Sequence, residues 1–243
     1  TRNGFYVFIK TDIGEGVGEA APLQGFNTES LKELSYVFEG FNLEILDIDF
    51  ESFEEMINLI SLHCEGLPSA QFALETAFLD IFSKHNNESL HRFLLPRSSN
   101  LISCNGIFGI HSPNDKYSTI KAKIGGGNLF QELKHLDAIK NQYGNEVRLR
   151  LDANESFDLP RAIRYCKEVE QFNIEYIEQP LKRDALEDLS ELRYHTSIPI
   201  ALDETITNLA SVERSIDMQA GDFFIIKPTL TGGFTQCKKI VHY

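Results

Sequence analysis

The chain has 243 residues, of which 42% are hydrophobic and 24% are charged, a composition typical of a globular protein with a sizeable core. Its formal net charge of -13 argues against nonspecific binding to nucleic acid or to an anionic membrane surface. No signal peptide or membrane-spanning apolar run is visible, so we expect a cytoplasmic protein that acts on a small molecule. The scattered cysteines predict neither a zinc site nor a disulfide framework.

The N-terminal region, residues 1–97, predicts an α+β capping domain, because strands come first and helices follow. GFYVFIKTD and GVGEAAPL have the pattern of a hairpin, with the glycines of IGEGVG at its turn. Asn27 or Thr28 is predicted to cap a helix that begins ESLKELSYVF. Two further helices are predicted, at about 51–64 and after Pro68. The second of them has a broad apolar face, so we expect it to be well buried.

Strand and helix alternate in residues 98–243, which predicts parallel strands joined by right-handed crossovers. Asp158, followed by Leu159 and Pro160, is a good start for one of these helices. The six predicted strands lie at about 101–107, 118–124, 147–152, 174–178, 198–203 and 222–227.

The regular repeat favours an α/β fold of the (β/α)8-barrel type, with a six-stranded open sheet as the alternative. A closed barrel of this type needs eight strands. We therefore expect two more strand–helix units beyond the numbered chain. The sequence also begins without methionine, inside a strand-like run, so we expect that its true start lies earlier.

Charged residues close five of the predicted strands, at intervals of 29, 26, 25 and 24 residues. They are Lys123, Asp152, Glu178, Asp203 and Lys227. A β/α barrel builds its active site from side chains at the carboxyl ends of its strands. Pairing of each acid with a basic loop residue is the alternative, but three acids in register favour a site.

Three acids at the ends of consecutive strands predict a cation site. Adjacent strands lie about 4.8 Å apart, so Asp152, Glu178 and Asp203 should converge and repel one another. A bound cation removes this repulsion. Ligands that are all oxygen suit a hard metal, so we expect Mg²⁺, with Mn²⁺ as a possible substitute.

Three lysines are candidates for proton transfer. Lys121 and Lys123 alternate along one strand and therefore share a face, although two solvated lysines are the alternative. Lys227 should lie opposite Lys123, with the acids between them. A lysine beside a cation in a desolvated site loses its proton readily and can act as a base. The combination predicts abstraction of the α-proton of a carboxylate substrate, which produces an enediolate.

Polar residues beside the predicted ligands are weaker candidates. Asn154 lies two residues after Asp152 and can share its face, whereas Glu204 should point elsewhere and could orient a lysine. Gln179 follows Glu178 directly. Each of them can instead cap the loop that follows its strand. Gly125–Gly127 and the pair Gly232 and Gly233 could let the backbone approach a ligand, or could simply be turn glycines.

The motifs KAK, LDAN, IEQP, ALDE and IIKP, in this order, resemble the enolase superfamily, whose sites use a lysine or histidine base with Mg²⁺. The strand-end lysines resemble its muconate-lactonizing-enzyme-like subgroup. GVGEAAPLQGFNTESL is similar to the hairpin and mobile loop of that family's capping domain, and PSAQFALETAFLDI is similar to its last cap helix. The resemblance covers essentially the whole chain.

Within that subgroup, KPTLTGGF resembles the o-succinylbenzoate synthases, lyases that dehydrate a succinyl-hydroxycyclohexadiene carboxylate in menaquinone biosynthesis. The resemblance implies that Lys123 abstracts the α-proton and then protonates the departing hydroxyl. Lys227, as a cation, would stabilise the enediolate, and Lys121 would assist Lys123. The resemblance assigns Mg²⁺ to three ligands, namely Asp152, Glu178 and Asp203.

The same resemblance implies a lid loop near residues 24–27. Gly25 and Phe26 would contact the substrate from this loop, and Gly232 and Gly233 from the TGG segment. Lys116, Lys182 and Arg183 are candidates for binding a second substrate carboxylate, and the sequence does not choose among them.

A dipeptide epimerase or N-acylamino acid racemase of the same superfamily is the alternative function. In those enzymes the two strand-end lysines act on opposite faces of the substrate. A third alternative is a barrel that has lost its activity, against which the retention of all five charges argues. The oligomeric state, monomer or homo-oligomer, is left open.

Overall fold

The computed structural model describes residues 2–23, 25–26, 29–41, 53–112 and 115–243. They form two compact units, one of Thr1–Asn100 with Ile226–Tyr243 and one of Leu101–Ile225. The predicted domain boundary at 97–98 stays a prediction, and the first unit also includes the C-terminal segment. Across the described ranges, no helix has the length and apolar character needed to cross a membrane.

The strands and the longer helices follow the predicted order, whereas the short helices at Leu90–Leu94 and Pro228–Thr231 were not predicted. The strands are β1 (Phe5–Thr11), β2 (Gly14–Ala20), β3 (Gly106–Ile107), β4 (Thr119–Lys123), β5 (Arg148–Asp152), β6 (Ile174–Glu178), β7 (Ile200–Leu202) and β8 (Phe223–Phe224). The helices are α1 (Leu31–Gly40), α2 (Phe53–His63), α3 (Pro68–His85), α4 (Leu90–Leu94), α5 (Leu129–Tyr143), α6 (Leu159–Val169), α7 (Leu186–His195), α8 (Leu209–Asp217), α9 (Pro228–Thr231) and α10 (Phe234–His242).

The second unit contains a six-stranded parallel sheet in the order β3-β4-β5-β6-β7-β8. Helices α5 to α8 connect consecutive strands, as the alternating sequence pattern predicts. The predicted cap of α6 is confirmed, since the Asp158 side chain accepts a hydrogen bond from the Arg161 main-chain nitrogen at 2.8 Å. Because every strand runs in the same direction, all their carboxyl ends lie at one edge of the sheet.

Lys227 does not close a strand, contrary to the sequence-based expectation. Strand β8 ends at Phe224, and Lys227 is the N-cap of the short helix α9. The next residue, Pro228, has no main-chain N–H to donate to a sheet and fits the first turn of a helix. The chain therefore turns into α9 just after the apolar run FFII.

The core of the first unit surrounds α3, and the burial predicted for this helix is confirmed. Phe78 is fully buried on α3, together with Leu34 of α1 and Met56 of α2. The cap of α1 is Ser30, whose hydroxyl accepts from the Glu33 main-chain nitrogen at 3.2 Å while the Glu33 carboxylate accepts from Ser30 nitrogen at 2.7 Å. This reciprocal pair satisfies two helix donors. The predicted caps, Asn27 and Thr28, lie outside the described residues.

Glycines in β2 bring the hairpin into direct contact with the backbone of α3. A Cβ atom on Gly18 would lie 1.9 Å from the Ala73 carbonyl oxygen, and one on Gly16 would lie 2.0 Å from the Ala77 carbonyl oxygen. The obstacle in both cases is main chain, which cannot rotate away as a side chain can. The glycine alternation of GEGVGEA is therefore a packing requirement as well as a turn signal.

We predict that Gly18→Ala lowers the free energy of unfolding by about 2 kcal/mol or more, because the added methyl group forces β2 away from α3. Gly40→Ala is the matched control, since the nearest atom to its new Cβ, on the His63 ring, would be 3.9 Å away. Chemical denaturation followed by circular dichroism measures both variants. Equal stability of Gly18→Ala and wild type would contradict this packing.

Candidate active site

The strand register brings the predicted acids together at the carboxyl edge of the sheet. Lys123 pairs with Asp152 between β4 and β5, and Asp152 pairs with Glu178 between β5 and β6. Asp203 follows β7 directly. The exposed fractions of Asp152, Glu178 and Asp203 are 5%, 1% and 3%. Acids buried to this extent are costly unless positive charge or hydrogen bonds compensate them.

Lys121 provides part of this compensation. Its Nζ atom lies 3.0 Å from Asp152 Oδ2 and 2.7 Å from Glu178 Oε2. Burial alone would lower the pKa of Lys121, but the hydrogen bonds to Glu178 and Asp152 and the charges of these acids outweigh burial and hold the pKa above its usual value. Lys121 is therefore an ammonium group, suited to an electrostatic role rather than to that of a base.

This ion pair balances the negative charge of the buried Glu178 carboxylate only in part. Burial raises the pKa of Glu178 to about 7 against the lowering effect of Lys121, and the charges of Asp152 and Asp203 raise it as well. Its Oε1 atom is buried and has no hydrogen-bond partner among the described residues. A buried anionic oxygen without a donor is a position that an additional cation would stabilise.

The residues fit a hard divalent cation by their chemistry. The three buried acids offer only oxygen ligands, which Mg²⁺ prefers. Within the described ranges, no set of three histidine, cysteine, aspartate or glutamate side chains is already arranged to hold a metal ion. The ammonium group of Lys121 lies between two of the acids. The assignment of Asp152, Glu178 and Asp203 as metal ligands therefore stays a prediction, supported by the unpaired Glu178 oxygen.

Lys123 lies at a cleft, and a base that acts on a substrate needs such an accessible position. Its side chain is exposed, and it lines a cleft of about 530 Å³ with Lys121 and Asp152. The rest of the lining is formed by Ile107, Phe108, Ile110 and His135. His135 has no counterpart in the sequence-based candidates. Its ring packs edge-on against that of Phe108, which also lines the cleft, with centroids 4.7 Å apart.

The side chain of Gln179 connects the ends of β6 and β7. It is fully buried, and its Oε1 atom accepts hydrogen bonds from the main-chain nitrogens of Asp203 at 2.9 Å and Thr205 at 3.2 Å. Its Nε2 atom donates to the Leu181 carbonyl at 3.0 Å and to Thr205 Oγ1 at 2.9 Å. Asp203 thus donates its main-chain N–H to a side chain, and its position depends on Gln179.

The main chain of Gln179 extends this connection to β5. Its nitrogen donates to the Ala201 carbonyl at 2.8 Å, and its carbonyl accepts from Glu155 nitrogen at 2.8 Å. Its φ of +38° lies in the left-handed region, which a residue with a side chain adopts at an energetic cost. One residue therefore joins the ends of the three strands that carry the acids.

Asn154 and Glu204 are partners of each other. Asn154 Nδ2 donates to Glu204 Oε1 at 3.1 Å, and Asn154 nitrogen donates to Asp152 Oδ1 at 3.3 Å. Strand β5 ends at Asp152, and Asn154 has a φ of +44°, so strand alternation does not extend to Asn154. Their link joins the end of β5 to the end of β7. Their predicted roles beside the metal and the lysines stay predictions.

Glu132 holds the glycine loop that follows Lys123, and sequence reasoning missed it. Its Oε1 atom accepts from the main-chain nitrogens of Gly125 at 2.8 Å and Gly127 at 3.0 Å. On the other side, Arg161 donates to the Gly127 carbonyl at 3.0 Å. An acid in the first turn of the helix that follows a glycine loop is a signal that could have identified Glu132.

Arg183, a candidate for binding a second substrate carboxylate, forms an ion pair with Glu155. Its Nε atom lies 3.2 Å from Glu155 Oε1, which also accepts from the Arg183 main-chain nitrogen at 2.7 Å. Lys182 is exposed, and Lys116 has a φ of +57°. Binding of a substrate carboxylate by any of these three residues stays a prediction.

Lys227 and the predicted lid residue Phe26 meet within the first unit. Lys227 Nζ lies 4.3 Å from the centroid of the Phe26 ring, a cation–π contact. Gly25 has a φ of +90°, which glycine adopts without strain, and Gln24 and Asn27 lie outside the described residues. The roles of Gly25 and Phe26 in substrate binding, and the position of Lys227 opposite Lys123, stay predictions.

Known proteins resemble this chain over most of its length. Residues 112–243 match the enolase C-terminal domain-like family. The chain is 30% identical over 255 residues to an L-Ala-D/L-Glu epimerase of Clostridium acetobutylicum, covering 98% of this chain and 70% of that protein. It is 29% identical over 181 residues to an o-succinylbenzoate synthase of Desulfotalea psychrophila, covering 69% of this chain and 49% of that protein.

Among solved structures, the chain resembles a dipeptide epimerase of Cytophaga hutchinsonii in complex with Mg and the dipeptide D-Ala-L-Val. The TM-score is 0.84 at 25% identity, and the match covers 98% of this chain and 67% of that one. The predicted α/β architecture of the barrel type is confirmed by this likeness together with the parallel sheet.

We predict that Gln179→Met lowers the free energy of unfolding by about 3 kcal/mol or more. The substitution keeps the side-chain length but leaves Asp203 nitrogen, Thr205 nitrogen and the Leu181 carbonyl without their partner, at about 1 kcal/mol or more each. Gln171→Met, at an exposed position, is the control and should stay within about 0.5 kcal/mol of wild type. If guanidinium denaturation gave the same stability for both variants, Gln179 would not join these strand ends.

Proposed function

Because the chain belongs to the enolase superfamily, we propose that it is an isomerase that inverts the α-carbon of an amino-acid residue in a dipeptide or an N-acylamino acid. The observation that carries this proposal is the position of Lys123 at a cleft beside buried acids. Such a site can accept an α-proton from a carboxylate substrate. The similarity to an L-Ala-D/L-Glu epimerase over 98% of the chain favours inversion as the outcome.

Inversion needs two groups that exchange protons with opposite faces of one carbon. In one direction, Lys123 Nζ accepts the α-proton, the C–H bond breaks, and its electron pair moves into the substrate carboxylate to form an enediolate. The ammonium group of Lys227 then gives a proton to the other face, and the C–H bond forms with inverted configuration. In the reverse direction the two lysines exchange roles, so no other reactant is consumed.

Asp152, Glu178 and Asp203 are the residues that would hold Mg²⁺. When bound there, the metal supplies stabilisation of the negative charge that develops on the substrate carboxylate. Lys121 bridges two of these acids and keeps positive charge beside the base. Replacement of Mg²⁺ by Mn²⁺ stays a prediction from ligand chemistry.

o-Succinylbenzoate synthase is the second candidate, favoured by the segment KPTLTGGF and by the relative that is 29% identical over 181 residues. It would use the same first step, after which the hydroxyl leaves instead of a proton returning. The comparisons favour the isomerase, because the synthase match covers only 49% of that protein, against 70% for the epimerase. The main function expected from sequence is therefore less well supported than its alternative.

We predict that the enzyme incorporates deuterium at the α-carbon of L-Ala-L-Glu, D-Ala-L-Val or an N-acylamino acid in D₂O, with formation of the epimer. Proton NMR measures both. Lys123→Ala should reduce inversion at least about 100-fold without loss of folded structure, because it removes one of the two proton-transfer groups. The exposed Lys167→Ala is the control and should retain wild-type activity.

Activity of Lys123→Ala above about a hundredth of wild type would contradict its role as a base. Aromatisation of the cyclohexadiene substrate, without inversion of any dipeptide or N-acylamino acid, would favour the synthase instead.

We predict that Mg²⁺ stabilises the folded protein by about 2.7 kcal/mol at a concentration 100 times its dissociation constant, because it binds the folded state alone. Differential scanning calorimetry with and without Mg²⁺ measures the rise in Tm. Glu178→Gln should lose most of this rise, whereas Glu54→Gln, at an exposed position, should keep it. A rise of equal size in both variants would place the metal elsewhere.

A further inference from the structure

A buried glutamate on α3 holds the beginning of α10. Glu75 has an exposed fraction of 0%, and its Oε1 atom accepts from Thr235 nitrogen at 2.7 Å and from Thr235 Oγ1 at 2.8 Å. Thr235 is in the first turn of α10, where main-chain N–H groups have no partner within the helix. A carboxylate there satisfies these donors and is favoured by the helix dipole.

The two glycines before α10 allow this contact. Gly232 and Gly233 have φ angles of +89° and +121°, which a residue with a side chain rarely adopts. A Cβ atom on Gly233 would lie 2.0 Å from Glu75 Oε2, and one on Gly232 would lie 2.8 Å from Gln71 Oε1. The TGG segment therefore has a structural reason for its glycines. Their predicted contact with substrate stays a prediction.

Main-chain hydrogen bonds also connect the TGG segment to Pro228 and Lys227. Gly233 and Gly232 donate to the Pro228 carbonyl at 2.8 and 3.1 Å, and Thr231 donates to the Lys227 carbonyl at 3.1 Å. The ring of Phe234 also packs against Phe72 of α3, with centroids 5.6 Å apart. The chain from Lys227 to α10 is thus one hydrogen-bonded piece that α3 holds in place.

From this geometry we infer that Glu75 is a positioning residue for Lys227, acting through the TGG segment and α9. The inference rests on the proposed function, in which Lys227 exchanges a proton with one face of the substrate. Glu75 does not take part in proton transfer. It fixes the backbone that carries Lys227, and loss of its carboxylate should affect chemistry at that face alone.

A comparison of the two substrate epimers distinguishes a positioning role from a general loss of stability, which would slow exchange of both. Each substrate epimer presents its α-proton to one of the two lysines, and Lys227→Ala identifies the epimer that depends on Lys227. For that epimer, Glu75→Ala should slow α-proton exchange in D₂O at least tenfold. Exchange of the other epimer should stay within twofold of wild type. The exposed Glu55→Ala is the matched control and should change neither rate.

Two further outcomes complete the test. Equal slowing of both epimers, or of neither, would overturn the positioning role. If Glu75→Ala does not fold, Glu75→Gln, which keeps an acceptor for Thr235 and loses the charge, should slow the same epimer at least threefold.

The positioning role can also be measured without turnover. If the wild type exchanges no α-proton, the proposed function fails, and the rate at which acetic anhydride modifies Lys227 relative to Lys167 becomes the readout. Mass spectrometry should then show at least a threefold change in this ratio in the Glu75 variant. An unchanged ratio would overturn the inference independently of the reaction.

Discussion

The structure depends on the burial of negative charge at one edge of a parallel sheet. Asp152, Glu178 and Asp203 are almost fully buried, and Lys121 forms ion pairs with Asp152 and Glu178. Mutual repulsion would separate these strand ends unless other bonds held them together. Gln179 supplies such bonds through its side chain and main chain, and the link between Asn154 and Glu204 adds another. The remaining need for positive charge makes the cluster a candidate metal centre, and it is most evident at the Glu178 oxygen that has no hydrogen-bond partner in the part of the chain that the structure describes.

Local patterns in the sequence predicted the ends of β4, β5 and β6 at Lys123, Asp152 and Glu178, but not the end of β8, which lies before Lys227. The cap of α6 by Asp158 was also predictable, because Asp158 and its partner Arg161 lie within one turn of the helix. The start of α1 was predicted less well, because the reciprocal pair of Ser30 and Glu33 is a stronger signal than a lone capping residue. The roles of Gln179 and Glu75 were not predictable. Their partners are set by tertiary structure, and Glu75 and Thr235 are 160 residues apart in the chain.

The five charged residues indicate the first chemical step, removal of an α-proton, better than they indicate the complete reaction. Removal of an α-proton from a carboxylate is the first step of both the inversion and the dehydration. The charges therefore fit both, and the outcome depends on whether the enediolate next gains a proton or loses a hydroxyl. A shared fold does not decide this step. The coverage of the epimerase relative, 70% of its length, favours proton return, while KPTLTGGF is the feature that favours dehydration.

A crystal structure with Mn²⁺, located by its anomalous scattering, tests the central claim most directly. The account predicts one strong peak about 2.1 Å from an oxygen of each of Asp152, Glu178 and Asp203, because these acids would provide the oxygen ligands of a hard divalent ion. It also predicts that the Glu178 oxygen without a hydrogen-bond partner is among the atoms that bind it. A peak elsewhere, or no peak while Lys121 still bridges Asp152 and Glu178, would show that the cluster is an internal ion pair and would contradict the proposed metal centre.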